Sequence, residues 1–151
     1  MIIDQSGRIE ETNRHTIIAI ADKNKGYTVK IPPSAKKELL KVFRKIGKPK
    51  VFPVVIFADA IFISLIRSKL SPQILVIDIE YPGHESTIKN IILTYCRKFK
   101  IPVPEIYFSK IGKKDPAHVL AWNTFKGNQK ADTVLGFQDF KGFFRMKRKK
   151  K

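Results

Sequence analysis

The chain has 151 residues, with 30 Lys and Arg against 13 Asp and Glu and a net charge of +17. This length fits one domain with its own core, and 43% hydrophobic residues exclude a disordered chain. A single cysteine, Cys96, excludes an intrachain disulfide, and no Cys/His cluster offers a metal site. The excess of basic residues points to a polyanion, either a nucleic acid or an anionic membrane surface.

The predicted elements begin with strands. Ile2 to Ser6 is followed by the turn signal Gly7-Arg8, and Thr16 to Ala21 is rich in β-branched residues. Asn24-Lys25-Gly26 then turns the chain into Tyr27 to Ile31, which predicts an antiparallel meander. Ser34 is the expected cap of a helix with Leu39, Val42, Phe43 and Ile46 on one face, stopped by Gly47. Val51 to Leu70 is too apolar for periodicity to decide; its length favours a buried helix from about Ala58 to Lys69. Ile74 to Ile79 reads as a central strand covered on both faces.

Beyond Pro82-Gly83, the residues Ile88, Ile91, Ile92, Tyr95, Cys96 and Phe99 line one face of an amphipathic helix, with Cys96 buried and inert. A short strand, Ile106 to Phe108, precedes a helix opened by Asp115 as N-cap and Pro116 at its first position. A further helical segment is expected over Gln129 to Phe137. Residues 1–140 form the expected domain and residues 141–151 a basic tail. Asp4 and Arg8 interrupt any signal-peptide pattern. The apolar stretch Val54 to Ile66 is broken by Asp59 and is short for a bilayer. A soluble, cytoplasmic, nucleoid-associated protein is therefore expected.

The resulting order is β-β-β-α-(α)-β-α-β-α. Against this background the acidic residues stand out. Asp4 ends the first strand, and Asp78 and Glu80, two apart on one strand face, end the fourth. Carboxylates in apolar strands are costly unless they are paired or bind a metal. In a basic chain they suggest a divalent ion facing a polyanion.

Asp4-Gln5-Ser6-Gly7 resembles the Asp-x-Ser/Ala-Gly first strand of the ribonuclease H-like superfamily. Asn128-Gln129-Lys130-Ala131-Asp132 resembles the Asn-Glu-x-Ala-Asp that opens the last helix of ribonucleases H. The resemblance implies an α/β fold with a mixed five-stranded sheet, three antiparallel strands then two parallel, flanked by helices. It also implies two Mg²⁺ or Mn²⁺ ions about 4 Å apart, held by Asp4, Glu80 and Asp132. Asp78 is a further candidate ligand. Asp115 competes with Asp132 for the last position, its alternative being a plain N-cap, and Gln5 departs from the Asp-Glu pair of the second ribonuclease H type. The histidine-bearing loop of the first type has no counterpart here. His118 and, less so, His84 are candidates for proton transfer or phosphate contact.

Lys113, Lys114, Lys126 and Lys130 with Trp122 and Phe125 form a candidate nucleic-acid surface, unless the two aromatics are core. The implied activity is metal-dependent cleavage of DNA, single-stranded or branched, in replication or repair. The competing function is a non-catalytic, ribosomal-like nucleic-acid binder. Phe137, Phe140, Phe143 and Phe144 are spaced like a peptide that docks on a sliding clamp, so residues 137–144 are a candidate partner segment; packing on their own domain is the alternative.

Overall fold

A computed structural model describes the backbone of residues 1–149 and side chains as far as Phe143. Its elements in chain order are β1 (Ile2–Ser6), β2 (Thr16–Ala21), β3 (Gly26–Ile31), α1 (Pro33–Lys45), a 3₁₀ turn (Pro49–Val51), α2 (Phe52–Ser68), β4 (Ile74–Asp78), α3 (Glu85–Lys98), β5 (Glu105–Ser109), α4 (Pro116–Phe125), β6 (Thr133–Val134) and α5 (Phe137–Lys149). The strands form one mixed sheet in the order β5-β4-β1-β2-β3-β6. β1, β2 and β3 are antiparallel neighbours, whereas β4 runs parallel to β1, β5 to β4 and β6 to β3. The α3 crossover between β4 and β5 satisfies the rule that parallel neighbours need a long connection.

The two sheet faces are covered unequally. Ile3, Ile18, Ile20, Val29, Ile31, Leu75 and Ile77 point to the face shared with α1, α2, α3 and α5, which holds the main core. The opposite face has a small second cluster, in which Ile17 and Ala19 meet Ala121 of α4. α4 lies across β1, β2 and β3. Over β4 and β5 the same face is open, so Ile74 and Tyr107 are exposed there. Every residue of β2 is buried, as its central position requires.

Several sequence expectations change. The sheet has six strands rather than five. The expected helix over Gln129 to Phe137 is replaced by β6, which pairs with β3. Asp132 explains this: its carboxylate accepts from the Thr28 backbone N–H at 2.9 Å, and its own N–H donates to Thr28 Oγ1 at 3.0 Å. The chain is thereby fixed along the β3 edge before it can coil. α1 starts at Pro33 with no side-chain cap, so Ser34 lies inside the helix rather than capping it.

α2 begins six residues earlier than expected, and its first turn accommodates Pro53. Together with the 3₁₀ turn it makes a helical run, Pro49–Ser68, long and apolar enough to cross a membrane by length and composition. In this fold it is a core helix, with 67% of its most apolar stretch buried. Buried Asp59 on α2 faces Tyr95 of α3, and burial, helped by the Asp59 charge, pushes the Tyr95 hydroxyl up, two polar groups inside an otherwise apolar interface.

α5 crosses the expected boundary at residue 140, so the basic segment continues a packed helix. Phe140 is buried, and Phe143 sits against Phe62, Tyr95 and Phe99. Arg67 pairs with Asp139 at 2.5 Å, tying α5 to α2. A clamp-docking peptide needs its phenylalanines free, and this packing takes up Phe140 and Phe143. The side chains of Phe144 and the lysines after it lie outside the described residues.

Candidate metal centre

The central pairing of the sheet builds the site. Ile2 and Ile3 of β1 lie opposite Val76 and Ile77 of β4, so the next residues in register are Asp4 and Asp78. Both are on the α4 face, because side chains alternate and their neighbours Ile3 and Ile77 are in the main core. Two residues beyond Asp78, Glu80 brings its carboxylate to the same point. One oxygen from each of Asp4, Asp78 and Glu80 lies within 4.8 Å of the other two.

These are the acids the sequence singled out at the ends of two strands. β1 and β4 are parallel neighbours, so their carboxyl ends coincide. Gln5 is on the other face, where its amide donates to the Tyr81 hydroxyl at 3.2 Å. The residue that departs from the family pattern is therefore not part of the cluster.

The electrostatics show what the crowding costs. Asp4 is 2% exposed. Burial, then a hydrogen bond and repulsion from Asp78, push its carboxyl up to about 6. Burial pushes Glu80 up to about 8, with Asp78 and then Asp4 adding to it and Arg8 opposing it. Asp78 thus acts on both neighbours, raising the proton affinity of each. The Ile111 N–H donates to its Oδ1 at 2.8 Å and fixes the loop that follows β5. Three crowded acids, with the proton affinities of Asp4 and Glu80 raised, would be relieved by a divalent ion. Oxygen-only donors suit Mg²⁺ or Mn²⁺, so the residues fit the implied metal.

His118 is the fourth member. Its Nδ1 lies 2.8 Å from Oδ2 of Asp4. α4 can present it because Asp115 caps the helix, accepting from the Ala117 N–H at 2.9 Å, with Pro116 in the first turn. Position 118 then falls over β1. The structure thus places His118 against Asp4, while exposed His84, at the start of α3, is not brought to the cluster.

The two candidates for the last ligand are both elsewhere. Asp115 is an N-cap and is not among the clustered carboxylates. Asp132 is bound to Thr28, whose neighbours across the sheet are Ala19 and then Asp4. Asp132 sits on the far side of β3, so three strand spacings, roughly 14 Å, separate it from the centre at backbone level. The motif Asn128 to Asp132 therefore directs sheet pairing here rather than ligation.

Around the centre, Gly7 ends β1 with φ +81°, and a Cβ there would come within 2.5 Å of the His15 carbonyl and 2.6 Å of the Phe125 ring. Only glycine lets the chain turn beneath that ring. Lys36 is fully buried and donates to the Arg8 and Glu11 carbonyls at 2.9 and 2.8 Å. Sequence reasoning passed over it. It anchors the β1–β2 loop that carries Arg8, and the only signal for it was a lysine in line with the buried positions Ala35 and Leu39 of α1.

Of the expected nucleic-acid surface, Lys113, Lys114, Lys126 and Lys130 are all exposed. Lys113 and Lys114 lie just beyond the Ile111 contact to Asp78, and Lys126 stands over Trp122. Lys130 is in the segment leading to β6, on the Asp132 side. Comparison with known protein families, with curated proteins and with solved structures finds no match for this chain.

Proposed function

We propose that this chain is a divalent-metal-dependent nuclease of the ribonuclease H-like superfamily, hydrolysing phosphodiester bonds in DNA, single-stranded or branched, in cytoplasmic replication or repair. The observation that carries this reading is the convergence of Asp4, Asp78 and Glu80 from adjacent central strands in a chain of net charge +17. The strand order β5-β4-β1-β2-β3, with an antiparallel first half and β4 and β5 parallel to β1, supports the fold part of it. β6 is an addition at the β3 edge.

Asp4, Asp78 and Glu80 would hold the metal. A bound divalent ion supplies an activated water and neutralises charge on the phosphate. The protein's own contribution is orientation. His118 fixes Oδ2 of Asp4, and the Ile111 N–H fixes Oδ1 of Asp78. Lys113 and Lys114 add positive charge beside the entry, where a phosphate would otherwise meet three acids. A non-catalytic binder has no use for this cluster, since without a cation it repels the ligand.

The test is Asp4→Asn, assayed on single-stranded, branched and duplex DNA with Mg²⁺, with Mn²⁺ and with chelator. Cleavage should be abolished while binding is retained or tightened, because the lost charge no longer repels phosphate. Cleavage by the variant at the wild-type rate refutes the assignment.

A further inference from the structure

α4 places its residues in an unusual order. Ala117, Ala121 and Thr124, at i, i+4 and i+7, are the buried residues against the sheet. The adjacent stripe, His118, Trp122 and Phe125, has the same spacing and carries the large rings. Trp122 is 46% exposed although it is the largest apolar side chain of the helix. A helix serving packing alone would bury the ring and expose the alanines.

The rings are also held in a defined layer. Trp122 lies nearly parallel to Phe125, with centroids 6.0 Å apart and planes at 14°. Phe125 is fixed over Gly7, and its carbonyl lies 2.9 Å from Nε2 of His15. Lys126 Nζ stands 5.1 Å from the Trp122 ring and the Arg14 guanidinium 5.0 Å from that of Phe125. At the other end of the stripe, His118 touches Asp4. One helical turn, about 5–6 Å between Cβ atoms, separates His118 from Trp122. Stacked nucleotides advance about 3.4 Å each, so that turn spans one or two of them.

We propose that this stripe is the track for an unpaired nucleic-acid strand, with a base stacked on Trp122 and its phosphates beside Lys126 and Arg14. The platform selects single strands because a base inside a duplex has both faces covered by its neighbours. Aromatic platforms in a basic groove are a general means of gripping such strands. The inference deepens the nuclease reading by naming the form of the substrate, and it rests on that reading only for what happens at the carboxylates.

Trp122 is the single tryptophan of the chain, so its fluorescence reports the platform directly. The experiment titrates the full chain, metal-free with chelator, with oligothymidylate, with duplex DNA of equal length and with heparin. Saturable quenching by oligothymidylate, absent with duplex and heparin, is expected. Absent quenching, or equal quenching by heparin, overturns the proposal.

Trp122→Ala and Trp122→Phe are then compared by anisotropy of a labelled oligothymidylate, with far-UV circular dichroism to check the fold. The alanine variant should bind about 5- to 150-fold more weakly, and phenylalanine should restore most of the loss. Wild-type affinity in a folded alanine variant overturns the proposal. The two readings fail separately. Quenching without any metal-dependent cleavage leaves the platform standing and removes the nuclease; cleavage without quenching does the reverse.

Discussion

Replacing Asp78 by Asn should make the metal-free protein more stable and the metal-loaded protein unattainable. Asp78 lies within 4.8 Å of Asp4 and Glu80 and contributes to the upward shift of each. Two unit charges at 4 Å in an effective dielectric near 20 repel by about 4 kcal/mol, which bounds the relief from above. Part of each shift comes from burial, which the substitution does not relieve, so the expected gain is about 1–3 kcal/mol. In a chain of this size that raises the melting temperature by about 2–10 °C. The asparagine carbonyl can still accept from the Ile111 N–H, so the loop contact survives.

The gain should depend on pH, and its direction follows from linkage. A carboxyl whose folded pKa lies above its unfolded value binds more protons when folded. The wild type therefore loses stability as pH rises from the ordinary carboxylate range through about 6 for Asp4 and about 8 for Glu80. With Asp78 neutral both shifts shrink, so the advantage of the variant is small near pH 5 and largest above pH 8. Urea unfolding at pH 5.5 and 8.5 in chelator measures it. Adding Mn²⁺ at neutral pH should raise the melting temperature of the wild type and not of the variant. A variant less stable than wild type at pH 8.5, or a pH-independent difference, would show that Asp78 is kept for structure.

Two further outcomes are expected. Phe140→Ala should destabilise by about 3–5 kcal/mol, because the ring is fully buried between α5 and the main core. Truncation after Gly136 should then unfold the chain, and a truncated protein with wild-type stability would make α5 dispensable. Lys36→Met keeps the aliphatic stem but leaves the Arg8 and Glu11 carbonyls without their charged donor, a loss of about 2–4 kcal/mol. Unchanged stability in urea unfolding would mean that Lys36 does not hold the β1–β2 loop.

Much of this architecture is legible in local pattern. The meander of β1 to β3, the apolar β4 and the α3 stripe announce themselves by periodicity, and Asp115-Pro116 announces the start of α4. Asp4, Asp78 and Glu80 were legible because acids are rare in such strands. What was hidden depends on contacts far apart in sequence. Asp132 looks like the opening of a helix, and only its bonds to Thr28, 104 residues earlier, make it the start of a strand. β6 has two residues and no periodicity of its own. The aromatic spacing of α5 suits an external groove as well as an internal one. Phe62, Tyr95 and Phe99, which receive Phe143, come from two other helices. The stop of α2 comes where expected, at Lys69, which adopts φ 60°, whereas its start at Phe52 was hidden in an apolar run without periodicity.

The position of the site follows from the way the sheet is covered. β1 is the junction of the antiparallel and parallel halves, and β4 joins it in parallel, so both chains leave the sheet at the same end. α4 covers β1, β2 and β3 on that face and leaves β4 and β5 open. The carboxylates therefore lie where the helical cover stops. Asp4 is beneath it, while Asp78 and Glu80 are half-buried at its margin. An acid fully in water would bind a divalent ion weakly, and one fully enclosed would simply stay protonated. At the margin three acids are crowded enough to hold a cation and, on the proposed reading, open enough to share it with a phosphate. On the proposed nuclease reading, the surrounding charge of +17 would act in the same sense, drawing a polyanion toward a point that only a bound cation makes attractive to it.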